Sequence, residues 1–512
     1  MKKILKYTFL LGVLLTFHTS CDQDFDEINT SQTGATAIDP VFQLNNAVIN
    51  TSFPGATLVY EIGIVQQIIS PNSGVLTGAN YNQDNRASTQ SLWQGYYRNV
   101  IRNTRDVIER TQDSPDRSNL HNMARILQAY AFMVLTDSYG DVPYSQGGTG
   151  YIDQVFFPTY DSQENIYPDL IQEFSEAAAA LNASGKIETA DILYGGNVDK
   201  WKKFANSLLL RAGMRLSKVD PTQAASIAST AFQGGVILDN ADNAVMRHDN
   251  NYVNPVGNTL NSTEAANYYM TEPFVNHLRS NNDPRLSSIA IRYVGAKSGP
   301  EQVPAIGSTD ADDQVGMPMG HDNASIVPVA KNLGLASFYD FTQIDRLRLA
   351  GRFAPVFFVT AAQTQLLLAE AKQRGWITSA TSAQTFYHGG IREHMKQLAS
   401  YGTSSAVTTA NIDAYIAAHP LAADNATALE QINDEYWVAS FLNGPEAFAN
   451  FRRSGFPNLA PNPFPGKDIS GEFIRRLTYP NSEISVNTDN VNAAISRMGA
   501  DDLDTRVWWD VP

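Results

Sequence analysis

The sequence has a single cysteine, Cys21, among its 512 residues. A disulfide needs two cysteines and a cysteine-based metal site needs several, so both are excluded. Outside the first twenty residues, no apolar run approaches the roughly twenty residues that a membrane-spanning helix needs. Lys and Arg number 37 against 52 Asp and Glu, a net charge of −15, and no cluster of five basic residues occurs. A nucleic-acid-binding protein needs such a basic surface, so that class is excluded.

Common catalytic signatures are absent from the sequence as well. It contains no Gly-x-Ser-x-Gly and no His-Glu-x-x-His motif, and its eight histidines show no metal-ligand spacing. The segment Asp310–Asp313 resembles the start of an EF-hand loop, but Gly316 is one position late and His321 stands where the glutamate belongs. We therefore expect no metal site and no cofactor; a solvated acidic loop is the default, with a loop calcium ion left open.

Apolar residues are plentiful. The hydrophobic fraction is 43% and the aromatic fraction 10%, which excludes disorder as the main state. The length corresponds to roughly three to four domain-sized units or one large fused domain, and a chain of this size can bury a substantial core.

The N-terminus has the pattern of a secretory signal peptide over residues 1–20. Lys2, Lys3 and Lys6 precede an apolar stretch of about eleven residues, Tyr7–Phe17, which is too short to span a bilayer. Cys21 follows directly, as at a bacterial lipoprotein processing site, so we predict that its thiol is lipidated; ordinary cleavage is the alternative. Residues 21–38 are expected to be an acidic tether, either a plain solvated linker or a surface-export signal, and residues 39–512 a single domain.

Apolar residues recur at steps of three and four along much of the remaining chain, which predicts about eight helices. Gly389-Gly390 interrupts one of them and makes it the least certain. Neighbouring helix pairs usually stack into a solenoid-like array, so the fold class is mainly α with minor β. The predicted helices cover residues 39–52, 91–110, 120–139, 162–181, 201–219, 360–374, 383–398 and 427–442.

Long segments rich in Asn, Gly, Ser, Tyr and Pro separate these helices, and the chief ones are 70–90, 140–161, 236–270, 280–350 and 455–485. Long aperiodic segments on a rigid frame commonly carry a binding surface. Two short apolar runs inside or beside them, Val155-Phe156-Phe157 and Val356–Val359, are too brief to distinguish a strand from a buried helix end.

Several strings together resemble the SusD/RagB family of outer-membrane lipoproteins. The clearest is Ala124–Tyr144, which ends in the turn sequence YGDVPY. The others, in chain order, are Trp201–Leu216, Asn282–Leu286, Leu366–Trp376, Arg476–Glu483 and Val507–Asp510. With the lipoprotein-type N-terminus, the likeness covers essentially the whole chain after the signal peptide.

The resemblance implies four TPR-like helix pairs in a superhelix that supports a loop-rich face. It implies a lipid-anchored protein of the outer membrane, facing outward, in a Bacteroidetes bacterium. It also implies a SusC-like TonB-dependent transporter as partner, an oligosaccharide or, in RagB-like members, a peptide as ligand, and no catalysis.

Sugars present apolar C–H faces and polar hydroxyl rims, so a sugar site needs exposed aromatic rings beside amides or charged groups. Two segments have that composition, and we expect ligand contacts there. The candidates in the first are Asn80, Tyr81, Arg86 and Trp93; those in the second are Tyr252, Asn258, Tyr268 and Tyr269. Helical spacing around Trp93 also fits burial.

The leading interpretation is a surface lipoprotein that binds oligosaccharides and delivers them to a transporter. A peptide-binding version is the near alternative, followed by a surface glycoside hydrolase or a scaffold without a small ligand. A glycosidase needs two carboxylates about 5–10 Å apart. With 52 acidic residues the sequence singles out no such pair.

Overall fold

The computed structural model describes residues 38–512, apart from the side chain of Val75. The predicted signal peptide, Cys21 and nearly all of the predicted tether lie outside the described residues. Within them the chain forms nineteen α-helices and seven short strands. The helices are α1 Pro40–Asn50, α2 Glu61–Ile64, α3 Arg86–Gly95, α4 Arg102–Thr111, α5 Ser118–Tyr139, α6 Gln163–Ala180, α7 Val198–Arg215, α8 Pro221–Gly234, α9 Pro255–Leu260, α10 Glu272–Ser280, α11 Arg285–Ile289, α12 Ile326–Asn332, α13 Ala361–Gln373, α14 Ala383–Gln397, α15 Thr409–Ala418, α16 Asn425–Ala439, α17 Gly444–Ser454, α18 Asn481–Val486 and α19 Thr488–Met498.

The strands form three small antiparallel sheets, with orders β1-β3, β2-β7 and β5-β4-β6. They are β1 Ile68–Ile69, β2 Ala244–Met246, β3 Tyr269–Met270, β4 Ala290–Tyr293, β5 Gly307–Ser308, β6 Gln343–Ile344 and β7 Val356–Val359. Of the two ambiguous apolar runs, residues 356–359 are therefore a strand, whereas residues 155–157 lie in a loop. The expected mainly α class with minor β is confirmed.

The long helices pack in a regular series along the chain. α4 packs on α5, α5 on α6, α6 on α7 and α7 on α8, and in the second half α13 packs on both α14 and α16. Helix α7 also contacts α5 within the first half and α13 across the two halves. This stacking of neighbouring helices is the TPR-like superhelix that the sequence predicted.

The helix count was too low, because several helices lack a clear apolar stripe. The buried face of α8 consists mostly of alanine, with Ala224, Ile227, Ala228 and Ala231. Helix α17 is buried on almost every side, including both Arg452 and Arg453. The buried side of α17 includes charged residues, which a prediction based on apolar spacing does not count.

The glycine pair in α14 does not interrupt the helix. A Cβ on Gly389 would lie 1.9 Å from the Gln365 side chain, and a Cβ on Gly390 would lie 2.5 Å from that of Leu366. Both contacts belong to α13, so the two glycines allow α13 and α14 to approach closely. The pair indicates close packing and not a break.

Buried ion pairs connect the helices inside the array. Glu370 pairs with Arg374, four residues further along the chain, at 2.9 Å, and Arg453 of α17 binds the same carboxylate at 2.7 Å. Burial alone would raise the pKa of Glu370, but the two arginines lower it to about 2. Glu370 thus stays ionised and links α13 to α17.

The first described residues are held by two arginines. Arg110 donates to the carbonyl oxygen of Ile38 at 2.6 Å, and Arg117 binds the carboxylate of Asp39 at 2.7 Å. Arg117 also pairs with Glu188 at 2.9 Å. Asp39 in turn accepts from the backbone N–H of Val41 and caps α1. The point where the predicted tether joins the domain is therefore fixed.

The YGDVPY turn serves the scaffold. Gly140 ends α5 with φ 83°, and a Cβ there would lie 2.3 Å from the sulfur of Met498. Asp141 accepts from the N–H of Gln163 at 2.9 Å and from Arg497 at 2.8 Å. These bonds join the end of α5 to α6 and α19.

No helix within residues 38–512 is both long and apolar enough to cross a bilayer.

Candidate functional site

Two of the predicted ligand residues, Tyr252 and Asn258, line one surface cleft of about 500 Å³. We call it the Tyr252 cleft. It lies between the end of α1, helix α3 with the residues that directly follow it, and the segment that leads into α9. Its other lining residues are Ile49, Asn50, Ser52, Pro54, Gly55, Ser91, Gly95, Tyr96, Asn99, His248, Val253, Pro255 and Thr259.

One wall of this cleft is a π-helical segment. Residues Tyr96–Ile101 form a π-helix between α3 and α4, so the helix bulges by an extra residue at this place. Tyr96 and Asn99 lie in the bulge and line the cleft. The hydroxyl of Tyr96 donates to the carbonyl oxygen of Thr51 at 2.8 Å, which binds the bulge to the end of α1. Bulges of this kind are frequent at functional sites.

The opposite wall is held by His248. Its Nδ1 lies 2.8 Å from the carbonyl oxygen of Tyr252, and its Nε2 lies 2.9 Å from Oγ of Ser52. A carbonyl can only accept, so Nδ1 carries the proton and Nε2 accepts from the serine hydroxyl. Burial lowers the pKa of His248, which favours this neutral form. The carboxylate of Asp249 accepts from the N–H of Tyr252 at 3.0 Å and completes the turn.

The tyrosine ring itself is open to solvent. Tyr252 is 50% exposed, whereas most tyrosines of this chain are buried. The side-chain amides of Asn99 and Asn258 have no hydrogen-bond partner within residues 38–512. The cleft therefore offers an aromatic surface and two unpaired amides, which suits an uncharged ligand with both C–H faces and hydroxyl groups.

Asn258 is positioned by a short capped helix. The side chain of Asn254 accepts from the N–H of Gly257 at 3.0 Å and caps α9, with Pro255 at its first position. The N–H of Asn254 also donates to the carbonyl oxygen of Arg352 at 2.8 Å. The turn that carries the amide is thus anchored to a distant loop.

The structure corrects the expectation for Asn80 and Tyr81. Tyr81 is 2% exposed, its hydroxyl donates to the carbonyl oxygen of Pro71, and its ring lies 4.7 Å from that of Phe464. Asn80 donates to the carbonyl oxygens of Ser70 and His321 and accepts from Gly320. Both residues hold loops together and do not face solvent.

Trp93 is a core residue, as its helical spacing allowed. It is 3% exposed and lies inside a cluster of aromatic rings. The ring centroids of Tyr97, Tyr139, Tyr160 and Tyr479 are all within 6.0 Å of it. This cluster lies where α3 meets α5, so Trp93 presents no ring face to a ligand.

Tyr268, Tyr269 and Arg86 are likewise occupied by the protein. Tyr268 and Tyr269 are 2% and 0% exposed, and the hydroxyl of Tyr269 donates to the carbonyl oxygen of Ala266 at 2.7 Å. Arg86 begins α3 and forms ion pairs with Asp84 and Asp501. The expectation of exposure is wrong for Tyr268 and Tyr269, because both rings are buried. Arg86 is partly exposed, but its guanidinium is engaged by the two carboxylates.

Sequence reasoning missed Tyr96, Asn99 and His248 as parts of the cleft. Tyr96 and Asn99 fall in a regular helical pattern, and the sequence contains no signal of the π-helical bulge that turns them into the cleft. His248 directly precedes the polar segment that begins at Asp249, so its proximity to Tyr252 was the only available hint.

The acidic segment around Asp310 shows no converging ligand set. Asp310 accepts from the N–H of Asp312 at 3.0 Å, and Asp313 accepts from the hydroxyl of Ser308. Nowhere in the described part of the chain do three His, Cys, Asp or Glu side chains converge as a metal site would require. The calcium alternative stays an untested prediction.

A second feature stands out on the surface, the loop of residues 147–158, which we call the aromatic loop. Its rings of Tyr151, Phe156 and Phe157 are 84%, 72% and 60% exposed. The loop is braced at its base, because Asn490 donates to the carbonyl oxygen of Phe157 at 3.1 Å. Exposed apolar groups in such density usually mark an interaction surface.

Comparison with known proteins shows which family this chain resembles. Residues 31–480 match the model of the SusD-like family described as starch-binding and associating with the outer membrane. A solved structure of a chitin-binding protein is 32% identical with a TM-score of 0.81, and the match covers 93% of this chain and 100% of that chain. A SusD-like protein of Bacteroidetes is 26% identical with a TM-score of 0.80 over 93% and 100% of the two chains.

A chitin-binding SusD homologue from Flavobacterium johnsoniae shares the fold at 24% identity, with a TM-score of 0.75 over 92% of this chain and 98% of that chain. No protein with a curated description matches this chain by sequence.

Proposed function

The chain belongs to the SusD-like family of outer-membrane-associated starch-binding proteins, and on that premise we propose that it binds oligosaccharides at the cell surface and delivers them to a SusC-like TonB-dependent transporter. In this proposal the mature protein is anchored in the outer membrane by a lipid on Cys21 and faces outward. Its ligand reaches the membrane without being altered.

The observation that carries the proposal is the composition of the Tyr252 cleft. A half-exposed tyrosine ring stands beside the unpaired amides of Asn99 and Asn258. Stacking on the ring and hydrogen bonds from the amides together recognise the two faces of a sugar. No charged side chain is among the cleft's lining residues within the described chain, which favours a neutral glycan over a charged ligand.

We propose chitin-type oligosaccharides as the first ligand to test. The relative at 32% identity is a chitin-binding protein whose whole length is matched. The acetamido group of such a sugar has an N–H donor and a C=O acceptor, and the side-chain amide of an asparagine has both as well, so the two can form hydrogen bonds in either direction. The family description makes starch oligosaccharides the second choice.

We assign the aromatic loop to the contact with the transporter. Tyr151, Phe156 and Phe157 expose their rings to solvent, and the turns that carry them contain a single charged residue, Asp153. An apolar surface of this kind gains from burial in a protein partner. The loop starts beside the part of the π-helical segment that carries Tyr97, since a Cβ on Gly147 would lie 3.1 Å from that ring, and none of the loop's residues lines the Tyr252 cleft. It is therefore separate from the Tyr252 cleft.

Affinity electrophoresis of the purified protein in gels with soluble chitin derivatives, starch and other polysaccharides tests ligand binding. We expect retardation by at least one glycan. Uniform migration in every gel, together with binding of peptides in a parallel assay, would favour the RagB-like peptide alternative.

Prolonged incubation with the same glycans tests whether the protein only binds. We expect no new reducing ends above a blank without protein. Steady release of reducing ends would replace the binding proposal with the surface glycoside hydrolase.

A further inference from the structure

A second cleft, of about 540 Å³, lies between the end of α10 and helix α15. It shares no lining residue with the Tyr252 cleft. One wall is the face of α15 that carries Asn411, Ala414 and Ala418 at steps of three and four. The other wall is the turn after α10, where Asn282 has φ 50° in the left-handed region. We call it the α15 cleft.

The floor of the α15 cleft is rigid. The ring of His419 stacks on that of Tyr415 at a centroid distance of 4.0 Å. The hydroxyl of Tyr415 donates to buried Glu435 at 2.8 Å, and the guanidinium of Arg285 lies 5.5 Å from the centre of the same ring. Arg285 is itself fixed by Glu435 at 2.7 Å. This network preorganises the floor without placing a charge in the cleft.

Several polar groups of this cleft are unused. The side-chain amides of Asn282 and Asn411 have no hydrogen-bond partner among residues 38–512. Nδ1 of His419 lies 2.8 Å from the carbonyl oxygen of Tyr415, so in the neutral ring Nδ1 carries the proton and Nε2 is an acceptor. That Nε2 also has no partner among the described residues.

The chemistry of these groups defines the ligand. Two amides supply donors and acceptors, an imidazole nitrogen supplies an acceptor, and Ala414, Ala418 and Pro284 supply a smooth apolar surface. Every residue that lines the cleft is neutral apart from the titratable ring of His419. Hydroxyl groups satisfy such partners, whereas a carboxylate or ammonium group would lose its hydration without gaining an opposite charge.

We propose that the α15 cleft is a second binding site for an uncharged saccharide. The inference rests on the proposed function in taking a glycan as the ligand, but it does not depend on the Tyr252 cleft. Two separated clefts would let one protein hold two glycan segments, which raises the effective affinity for a long or crowded polysaccharide.

In the test, a tryptophan substitution blocks each cleft in turn, and the number of sugar molecules bound per chain is then measured. Ala414→Trp fills the α15 cleft from an exposed helix position, and Gly95→Trp fills the Tyr252 cleft, since a Cβ at Gly95 meets no atom within 4 Å. Ala417→Trp is the matched control, because Ala417 is exposed on α15 but does not line the cleft. Thermal melting checks that each variant is folded.

Equilibrium dialysis with chitohexaose and with maltohexaose then gives the number of bound molecules per chain. For the sugar that binds, we expect two in the native protein and in Ala417→Trp, one in each blocked variant and none in the double variant. An unchanged count in folded Ala414→Trp would overturn the second site. If Gly95→Trp alone lost all binding, the second site would be disproved, while the proposed function would stand. If the native protein bound neither sugar, both the second site and the proposed function would be contradicted.

Discussion

Nδ1 of His248 lies 2.8 Å from the carbonyl oxygen of Tyr252, and this hydrogen bond fixes the backbone of an exposed tyrosine against a buried histidine. The ring of Tyr252 can therefore stay in solvent without a flexible backbone beneath it. Since ordering of a loop costs free energy on binding, a fixed backbone favours ligand capture.

Tyr252→Ala should weaken glycan binding about tenfold, which corresponds to ~1.4 kcal/mol, a magnitude typical of a lost aromatic contact. The melting temperature should hardly change, since the ring is half-exposed and its removal leaves no cavity. Isothermal titration and differential scanning calorimetry measure the two quantities. Tyr151→Ala is the control, because Tyr151 is also an exposed tyrosine but does not line the cleft. Equal affinity of both variants would exclude Tyr252 from the site.

Tyr81→Ala should behave in the opposite way. Because the ring of Tyr81 is buried against Phe464, its removal should cost about 3–5 kcal/mol of unfolding free energy, as for other large aromatic truncations. Urea denaturation measures this loss, with Tyr252→Ala as the exposed counterpart. A Tyr81 variant of native stability with weakened glycan binding would restore the original expectation that Tyr81 contacts the ligand.

Glu61→Gln should stabilise the protein in a pH-dependent manner. Burial raises the pKa of Glu61 from 4.5 to about 7, and its Oε1 has no hydrogen-bond partner within the described chain. A raised carboxyl pKa means that the native protein loses stability as pH rises from 4.5 to 7, because the ionised form is disfavoured only in the folded state. The glutamine cannot ionise, so the variant escapes this loss of up to about 3 kcal/mol.

Urea unfolding at pH 4, 6 and 8 measures the effect of Glu61→Gln. We expect no gain at pH 4 and the full gain at pH 8. Glu472→Gln, at an exposed position, is the control and should change little at any pH. A gain of the same size at pH 4 and pH 8 would mean that ionisation of Glu61 is not its cause.

Replacing Tyr151, Phe156 and Phe157 by serine should abolish co-purification with the transporter while leaving glycan affinity and melting temperature unchanged. The three rings are exposed and lie outside the Tyr252 cleft, so neither folding nor sugar binding depends on them. Affinity purification from solubilised outer membranes measures the association. Undiminished recovery of the transporter would assign the contact to another surface.

Cys21→Ser should release the protein from the membrane fraction. The lipid on Cys21 is the membrane anchor that we propose, and none of the helices within residues 38–512 is long and apolar enough to cross a bilayer. Fractionation followed by immunoblotting gives the distribution between soluble and membrane fractions. A serine variant that stays in the membrane fraction after high-salt washing would disprove the lipid anchor.

The fold was largely readable from the sequence, because apolar spacing reports the face that a helix buries. Residues 120–139 and 162–181 were predicted almost to their observed ends as α5 and α6. The pattern missed helices whose buried side consists largely of alanine, as in α8, and it misjudged glycines that serve packing, as at Gly389 and Gly390. Those properties depend on which helices become neighbours, and local sequence does not specify that.

The candidate site was harder to predict, because composition does not reveal exposure. Tyr81 and Tyr252 both lie in polar segments beside asparagines, yet one is 2% and the other 50% exposed. What separates them is Phe464, which comes from nearly four hundred residues away to cover Tyr81. Composition selects a type of residue, and tertiary contacts decide which residues of that type remain exposed.

Arg110 and Arg117 bind Ile38 and Asp39, and this clamp fixes the point at which the tether joins the domain. That point determines how far the domain can lie from a membrane anchor at Cys21. In the proposed lipoprotein, residues 22–37 separate the lipid from that clamp, and a chain of this length reaches at most ~55 Å when fully extended. In that arrangement the domain stays within this distance of the membrane surface. Deleting part of residues 22–37 should shorten the distance without changing glycan affinity or the stability of the domain.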